Sequence, residues 1–231
     1  MALIALLPMK GHSERVPGKN IKSLNGKPLF FYMADTLKDT GLFELLAINT
    51  DSEEIAHLAT DRFGDWVRII ERPPELVGDH VPMNSIIAHD IALLGMENDY
   101  FQTHSTNPLL SGGTVRAAVE RYRAGKRSGE FDSLFSVNAL RTRLYNKDLK
   151  PINHNPAVLG RTQDLDVIYE ENSNFYIFSG ESFICNKHRI GCNPSPYVMS
   201  RNAVEGIDID EKSDWDFVEL ILKSNRVNES D

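Results

Sequence analysis

The sequence predicts a single α/β domain built on a doubly wound, mostly parallel sheet. Short apolar runs alternate with longer segments of helical period, the rhythm of repeated βαβ units. The first apolar run empties into a cationic turn bearing glycines, Lys10 to Asn20, as strands of such sheets do where they meet a ligand. The length, 231 residues, suits one large domain with a substantial core.

Ala2–Leu7 reads as the first strand. A helix is expected over Pro28–Lys38, with Pro28 at its first position and Leu29, Tyr32, Met33 and Leu37 on one side. Leu45–Thr50 reads as the second strand, and Asp51-Ser52-Glu53-Glu54 opens a helix to about Phe63, its carboxylates at the positive end of the dipole. Strands follow at Trp66–Ile70, Tyr100–His104 and Ser133–Asn138, with helical segments at Asn84–Leu94 and Gly113–Arg123 between them. From Arg141 to about residue 165 the pattern lapses into a basic, proline- and asparagine-bearing stretch, read as an inserted arm that contacts substrate or a second subunit. Strand composition resumes at Val167–Tyr169 and Phe175–Phe178. Ser213–Lys223 reads as a closing helix capped by Ser213, with a frayed tail after Ser224.

The formal charge of −8 argues against a nucleic-acid surface and leaves room for a local basic cleft that takes a small anion. Cys185 and Cys192 have neither zinc-ribbon nor redox spacing and read as two reduced thiols. No apolar run reaches the roughly 20 residues of a membrane span, so a cytoplasmic protein is expected.

Four constellations carry chemistry. The opening turn has neither the Walker A nor the GxGxxG pattern, which disfavours P-loop and NAD sites. It offers Lys10, Arg15 and Lys19 with the Ser13 hydroxyl on a chain loosened by Gly11 and Gly18, equipment for most of a triphosphate's charge, or else a solvated basic loop. In Gly206-Ile207-Asp208-Ile209-Asp210 the aspartates alternate, so an extended chain turns both to one face while the isoleucines face a core. Paired hard oxygens suit Mg²⁺, although the same aspartates suit a helix cap or a pair with Lys212. His104 and Thr106 stand in a polar string after a strand, where His104 would polarise a phosphate, bind a sugar, or serve only structure. Arg72, stiffened by Pro73 and Pro74, would read a base carbonyl or a phosphate, or lie on the surface.

In their order and spacing these residues resemble the cytidylyltransferases that activate acidic sugars, the acylneuraminate family and its relatives acting on other ulosonic acids. The resemblance rests on Pro8-Met9-Lys10-Gly11-His12-Ser13-Glu14-Arg15-Val16-Pro17-Gly18-Lys19-Asn20, on Thr50-Asp51-Ser52-Glu53, and on Arg72-Pro73-Pro74-Glu75-Leu76 with Asp79. It continues through His104-Ser105-Thr106-Asn107-Pro108, Arg161-Thr162-Gln163-Asp164, Tyr169-Glu170-Glu171-Asn172-Ser173-Asn174-Phe175-Tyr176-Ile177 and Asp208-Ile209-Asp210. It covers most of the chain.

The resemblance implies a Rossmann-like nucleotidyltransferase fold with a small dimerisation arm, CTP and an acidic sugar as substrates, Mg²⁺ on Asp208 and Asp210, and a homodimer. Lys10, Gly11, Ser13, Arg15 and Lys19 would cradle the triphosphate, with Asn20, Arg72 and Asp79 on the nucleotide as well. His104, Thr106, Arg161, Gln163, Tyr169 and Asn172 would meet the sugar. Lys10 replaces an expected arginine and loses its bidentate fork. His104 replaces a glutamine, and Ser173 a glycine. The residues leave the general base open between a metal-bound hydroxide and an aspartate. Competing expectations are another nucleotide such as GTP acting with a sugar phosphate, and a non-catalytic sugar-nucleotide-binding protein.

Overall fold

The computed structural model describes residues 1–158, 160–199 and 204–228. In chain order the elements are β1 (Leu3–Leu6), β2 (Ser23–Leu24), β3 (Lys27–Pro28), α1 (Leu29–Thr40), β4 (Leu46–Thr50), α2 (Glu53–Phe63), β5 (Val67–Glu71) and α3 (Met83–Leu94). There follow β6 (Asp99–Thr103), α4 (Gly112–Ser128), β7 (Ser133–Leu140), β8 (Ile168–Ser179), α5 (Gly180–Asn186), β9 (Pro194–Met199) and α6 (Lys212–Asn228).

The doubly wound expectation holds. One seven-stranded sheet runs β5-β4-β1-β6-β8-β7-β9, parallel except for β8, which is antiparallel to both β6 and β7. Alternate residues of β1 feed opposite cores. Leu3 and Ala5 pack with α1, α2 and α4 on one face, and Ile4 and Leu6 pack with α3 and α5 on the other. A strand buried on both faces has no polar side to show, hence the unbroken apolar run. The chain leaves β1 towards β4 and β5, then returns to place β6 on the other side of β1. The crevice beyond the ends of β1 and β6 is therefore the topological switch point, where sheets of this kind hold ligands.

Several local expectations are corrected. Asn25-Gly26 closes a small β2–β3 hairpin in which both residues have positive φ, and Pro28 precedes α1 as its cap. α4 runs past Gly125 to Ser128 and ends where Gly129, at φ 72°, turns its N–H back to the carbonyls of Gly125 and Lys126; the Phe131 ring fills the space a Cβ at position 125 would take. The two β-like pieces before and after residue 170 are one twelve-residue strand, β8. α5 and β9 went unforeseen; the prolines of Pro194-Ser195-Pro196 are tolerated because β9 is an edge strand. α6 continues beyond Ser224, and its start is held not by Ser213 but by Asp214, whose carboxylate accepts from the backbone N–H groups of Asp210 and Glu211. The inserted stretch between β7 and β8 is largely irregular, with a bridge between Tyr145 and Pro151 and one 3₁₀ turn at Thr162–Asp164.

Candidate active site

The loop after β1 and the segment before α6 meet at the switch point because they share a small core. Val16, Leu24 and Leu29 from the N-terminal side pack with Ile209, Trp215 and Val218 from the C-terminal side. Burying Ile209 fully turns its neighbours Asp208 and Asp210 into the crevice, as strand-like alternation requires. Polar ties fix the same junction: Lys19 Nζ donates to the Ile209 carbonyl at 2.6 Å, and the Ile209 N–H donates to the Thr106 carbonyl at 2.9 Å.

The result is a cavity of about 530 Å³ that gathers Lys10, Ser13, Arg15, Lys19, Asn20, Asp79, His104, Thr106, Asp208 and Asp210. Arg15 Nη2 lies 3.0 Å and Lys19 Nζ 3.8 Å from Asp210 Oδ1, while Lys10 pairs with Asp79. The Lys10 partner, through its hydrogen bond first and its charge second, holds the Asp79 carboxyl below the usual carboxylate range. Burial lowers the Lys19 ammonium pKa against the opposing pull of Asp208 and Asp210. Burial likewise raises the Asp208 carboxyl, opposed by a hydrogen bond from Thr106 and reinforced by the charge of Asp210. Asp208 Oδ1 is buried without a hydrogen-bond partner among the described residues. A buried carboxylate oxygen left unpaired beside a second carboxylate is a donor set that could take a hard cation.

Other sequence candidates take framework positions. Asn20 is buried, its Nδ2 donating to the Lys10 carbonyl at 2.8 Å and its Oδ1 accepting from Ser105 Oγ at 2.6 Å, so it ties the loop to the end of β6. The Gly11 N–H donates to Asp51 Oδ1 at 2.7 Å. Arg72 is buried, with Nε donating to Asn49 Oδ1 at 2.7 Å and Nη2 to the Asn49 and Met9 carbonyls at 2.9 and 3.2 Å. It borders a neighbouring cavity of about 710 Å³ in which Asp51, Glu53 and Glu71 surround this one cation, a charge balance that disfavours a triphosphate.

Arg161, Gln163, Tyr169 and Asn172 do not line the smaller cavity. Arg161 pairs with Asp164 at 2.8 Å, the Gln163 carbonyl accepts from Arg141, Tyr169 is exposed, and Asn172 donates to Asn138 Oδ1 at 3.0 Å.

The structure adds residues that sequence reasoning missed. Arg189, after α5, lines the cavity with its guanidinium 3.5 Å over the Tyr176 ring and Nη1 donating to Gln102 Oε1 at 2.6 Å. Ser173, which the sequence already marks as standing where the resembling family has a glycine, also lines it, at φ 57°, inside an irregularity where the β7–β8 register shifts. Nothing in the spacing marks Arg189. Gln102 did leave a signal, a fully buried amide directly after the aromatic pair Tyr100-Phe101 in its strand.

A family model described as cytidylyltransferase matches residues 4–229. The chain is 24% identical over 237 residues to a pseudaminic acid cytidylyltransferase of Campylobacter jejuni, covering 97% of this chain and 98% of that one. It is 27% identical over 240 residues to a CMP-N,N'-diacetyllegionaminic acid synthase of Legionella pneumophila, covering 98% of each. The solved structure of a CMP:2-keto-3-deoxy-manno-octonic acid synthetase complexed with CTP shares the fold, at a TM-score of 0.66 and 10% identity over 97% of this chain and 100% of that one.

Proposed function

This chain belongs to the cytidylyltransferase family, and from that premise we propose that it activates a sialic-acid-like 3-deoxy-ulosonic or nonulosonic acid with CTP, giving a CMP-sugar and pyrophosphate. The observation that carries the reading is the meeting of the cationic loop with Asp208 and Asp210 in one cavity at the switch point. The names of the two relatives support the acidic-sugar class.

In the proposed reaction the anomeric hydroxyl oxygen of the acid forms a bond to the α-phosphorus as the bond from that phosphorus to the pyrophosphate oxygen breaks, and the hydroxyl proton passes to a base, for which the cavity offers the carboxylates of Asp208 and Asp210. Such transfers ask chiefly for alignment and for neutralised charge. Lys10, Arg15 and Lys19 offset the charge of the departing pyrophosphate, and Ser13 adds a hydroxyl donor. Asp208 and Asp210 fit Mg²⁺ as two hard-oxygen carboxylates on one face, with Asp208 Oδ1 buried and unpartnered among the described residues. When bound, the ion supplies positive charge to the phosphate oxygens. In the structure Arg15 and Lys19 balance the charge of Asp210.

The inserted stretch, about 141–165, exposes Tyr145, Leu149, Ile152 and Val158. These apolar side chains support a homodimer in which the arm contacts the partner. Among the described residues no helix is long and apolar enough to cross a membrane, and use of CTP supports a cytoplasmic setting.

A pyrophosphate-release assay with each nucleotide, Mg²⁺ and a panel of acidic sugars tests the reading. CTP-dependent release with a nonulosonic or ulosonic acid is expected. Release with GTP and a sugar phosphate, or tight CMP-sugar binding without release, overturns it.

A further inference from the structure

His104 directly follows the last residue of β6, and the network behind it engages its ring at Nε2. Its Nε2 lies 3.2 Å from Gln102 Nε2. The orientation of that amide is set from the other side, because Arg189 Nη1 approaches Gln102 Oε1 at 2.6 Å and a guanidinium has only donors. The Gln102 Nε2 therefore carries the hydrogens, one donated to the Thr103 carbonyl at 2.9 Å, and His104 Nε2 must accept the other. Arg189 is in turn held by Tyr176 beneath its plane and by Glu171 3.6 Å away. Burial, aided by the charges of Arg189 and Lys19, pushes the His104 pKa down to about 3, so the ring is neutral. A neutral imidazole that accepts at Nε2 carries its proton on Nδ1. That N–H has no partner among the described residues, and the residue lines the cavity.

We infer that His104 is a fixed hydrogen-bond donor for the carboxylate of the acidic acceptor, locked as the Nδ1–H tautomer by Gln102, which Arg189 holds in place. This deepens the function proposed above and rests on it. The contact offers a donor and no acceptor, in a field made positive by Arg189 and Lys19, which favours an anionic oxygen over a hydroxyl. With its lone pair engaged by Gln102, His104 cannot accept the hydroxyl proton. Gln102 and Arg189 are positioning residues.

Nitrogen NMR of the full-length protein labelled at histidine reads the tautomer without turnover. The expected His104 signals are a protonated Nδ1 and an unprotonated Nε2, unchanged between about pH 5 and 9. Gln102→Leu should mix the tautomers. A proton on Nε2, or titration of the ring in that range, overturns the inference. The Nδ1–H resonance should move on adding an acidic sugar and stay still with the analogue whose carboxylate is reduced to an alcohol; movement with both, or with neither, refutes the carboxylate contact.

Kinetics give the second arm. His104→Phe should raise KM for the acidic sugar roughly 10- to 100-fold, the range of a hydrogen bond to a charged group, with KM for CTP nearly unchanged. The loss caused by the reduced analogue and the loss caused by His104→Phe should not multiply. A rise in KM for CTP alone, or multiplied losses, overturns the assignment. If the wild-type protein releases no pyrophosphate from CTP with any acidic sugar, the proposed function fails, while the NMR result still decides the tautomer.

Discussion

The ammonium of Lys19 donates to the carbonyl of Ile209 at 2.6 Å, joining two points 190 residues apart in the chain. One side chain thereby does two things: it closes the N-terminal loop onto the segment carrying Asp208 and Asp210, and it leaves positive charge 3.8 Å from Asp210.

Lys19→Met removes that charge while keeping most of the buried stem. The expected result is a fall of roughly 10²–10³ in kcat/KM for CTP-dependent pyrophosphate release, the scale of one electrostatic contact to a developing charge. Circular dichroism should show the fold intact. Near-wild-type kinetics in a folded variant would contradict the role given to the loop.

Asp208→Asn separates function from stability. Burial works against the native carboxylate, so the amide should melt no lower than the parent. Activity should drop roughly 10²–10³-fold at limiting Mg²⁺. Full activity there in either Asp208→Asn or Asp210→Asn would remove the metal assignment.

Asp90 gives a pH signature independent of the reaction. It is buried in α3, accepts from Asn49 Nδ2 at 2.6 Å through Oδ1, and has no partner for Oδ2 among the described residues. Burial raises its pKa from 3.8 to about 6, against the pull of Asn49, His89 and Arg72. A carboxyl whose folded pKa lies above its unfolded one contributes stability below the unfolded value and loses it as pH rises through the folded value. Thermal melts should therefore show Asp90→Asn gaining on the parent between about pH 4 and 6, by up to roughly 2–3 kcal/mol at pH 7. A difference that does not change with pH would disprove it.

Gly180, the first residue of α5, packs on the Met96 backbone; a Cβ there would lie 2.6 Å from the Met96 carbonyl oxygen. Backbone cannot rotate away as a side chain can. Gly180→Ala should cost about 1–3 kcal/mol in denaturant unfolding. A loss below about 0.5 kcal/mol would show that α5 shifts freely.

Much of this architecture was legible because its causes are local. β1 announces itself by an apolar run buried on both faces, and α2 by the Ser52 hydroxyl that accepts from the Ile55 N–H. The alternation of Asp208, Ile209 and Asp210 foretold which side chains would be buried and which turned to the crevice. What escaped was set by distant partners. The helix expected to end at Arg123 runs through Gly125 to Ser128, where the small residue makes room for the Phe131 ring, and Pro194 and Pro196 argue against a strand until β9 is known to lie at the sheet edge. Arg189 has no local signature at all; its place depends on the stacking face of Tyr176 and the amide of Gln102. Asn20 and Arg72 were found as polar residues near the crevice, but their carbonyl and amide partners could not be read from spacing.

The six side chains joining Val16 to Val218 form a patch of core separate from the two that sandwich the sheet. Detaching α6 would expose that patch while leaving both larger cores buried, so the cheapest partial opening of the molecule is also the one that dismantles its reaction centre. Inactivation by mild denaturant should accordingly precede any loss of sheet signal.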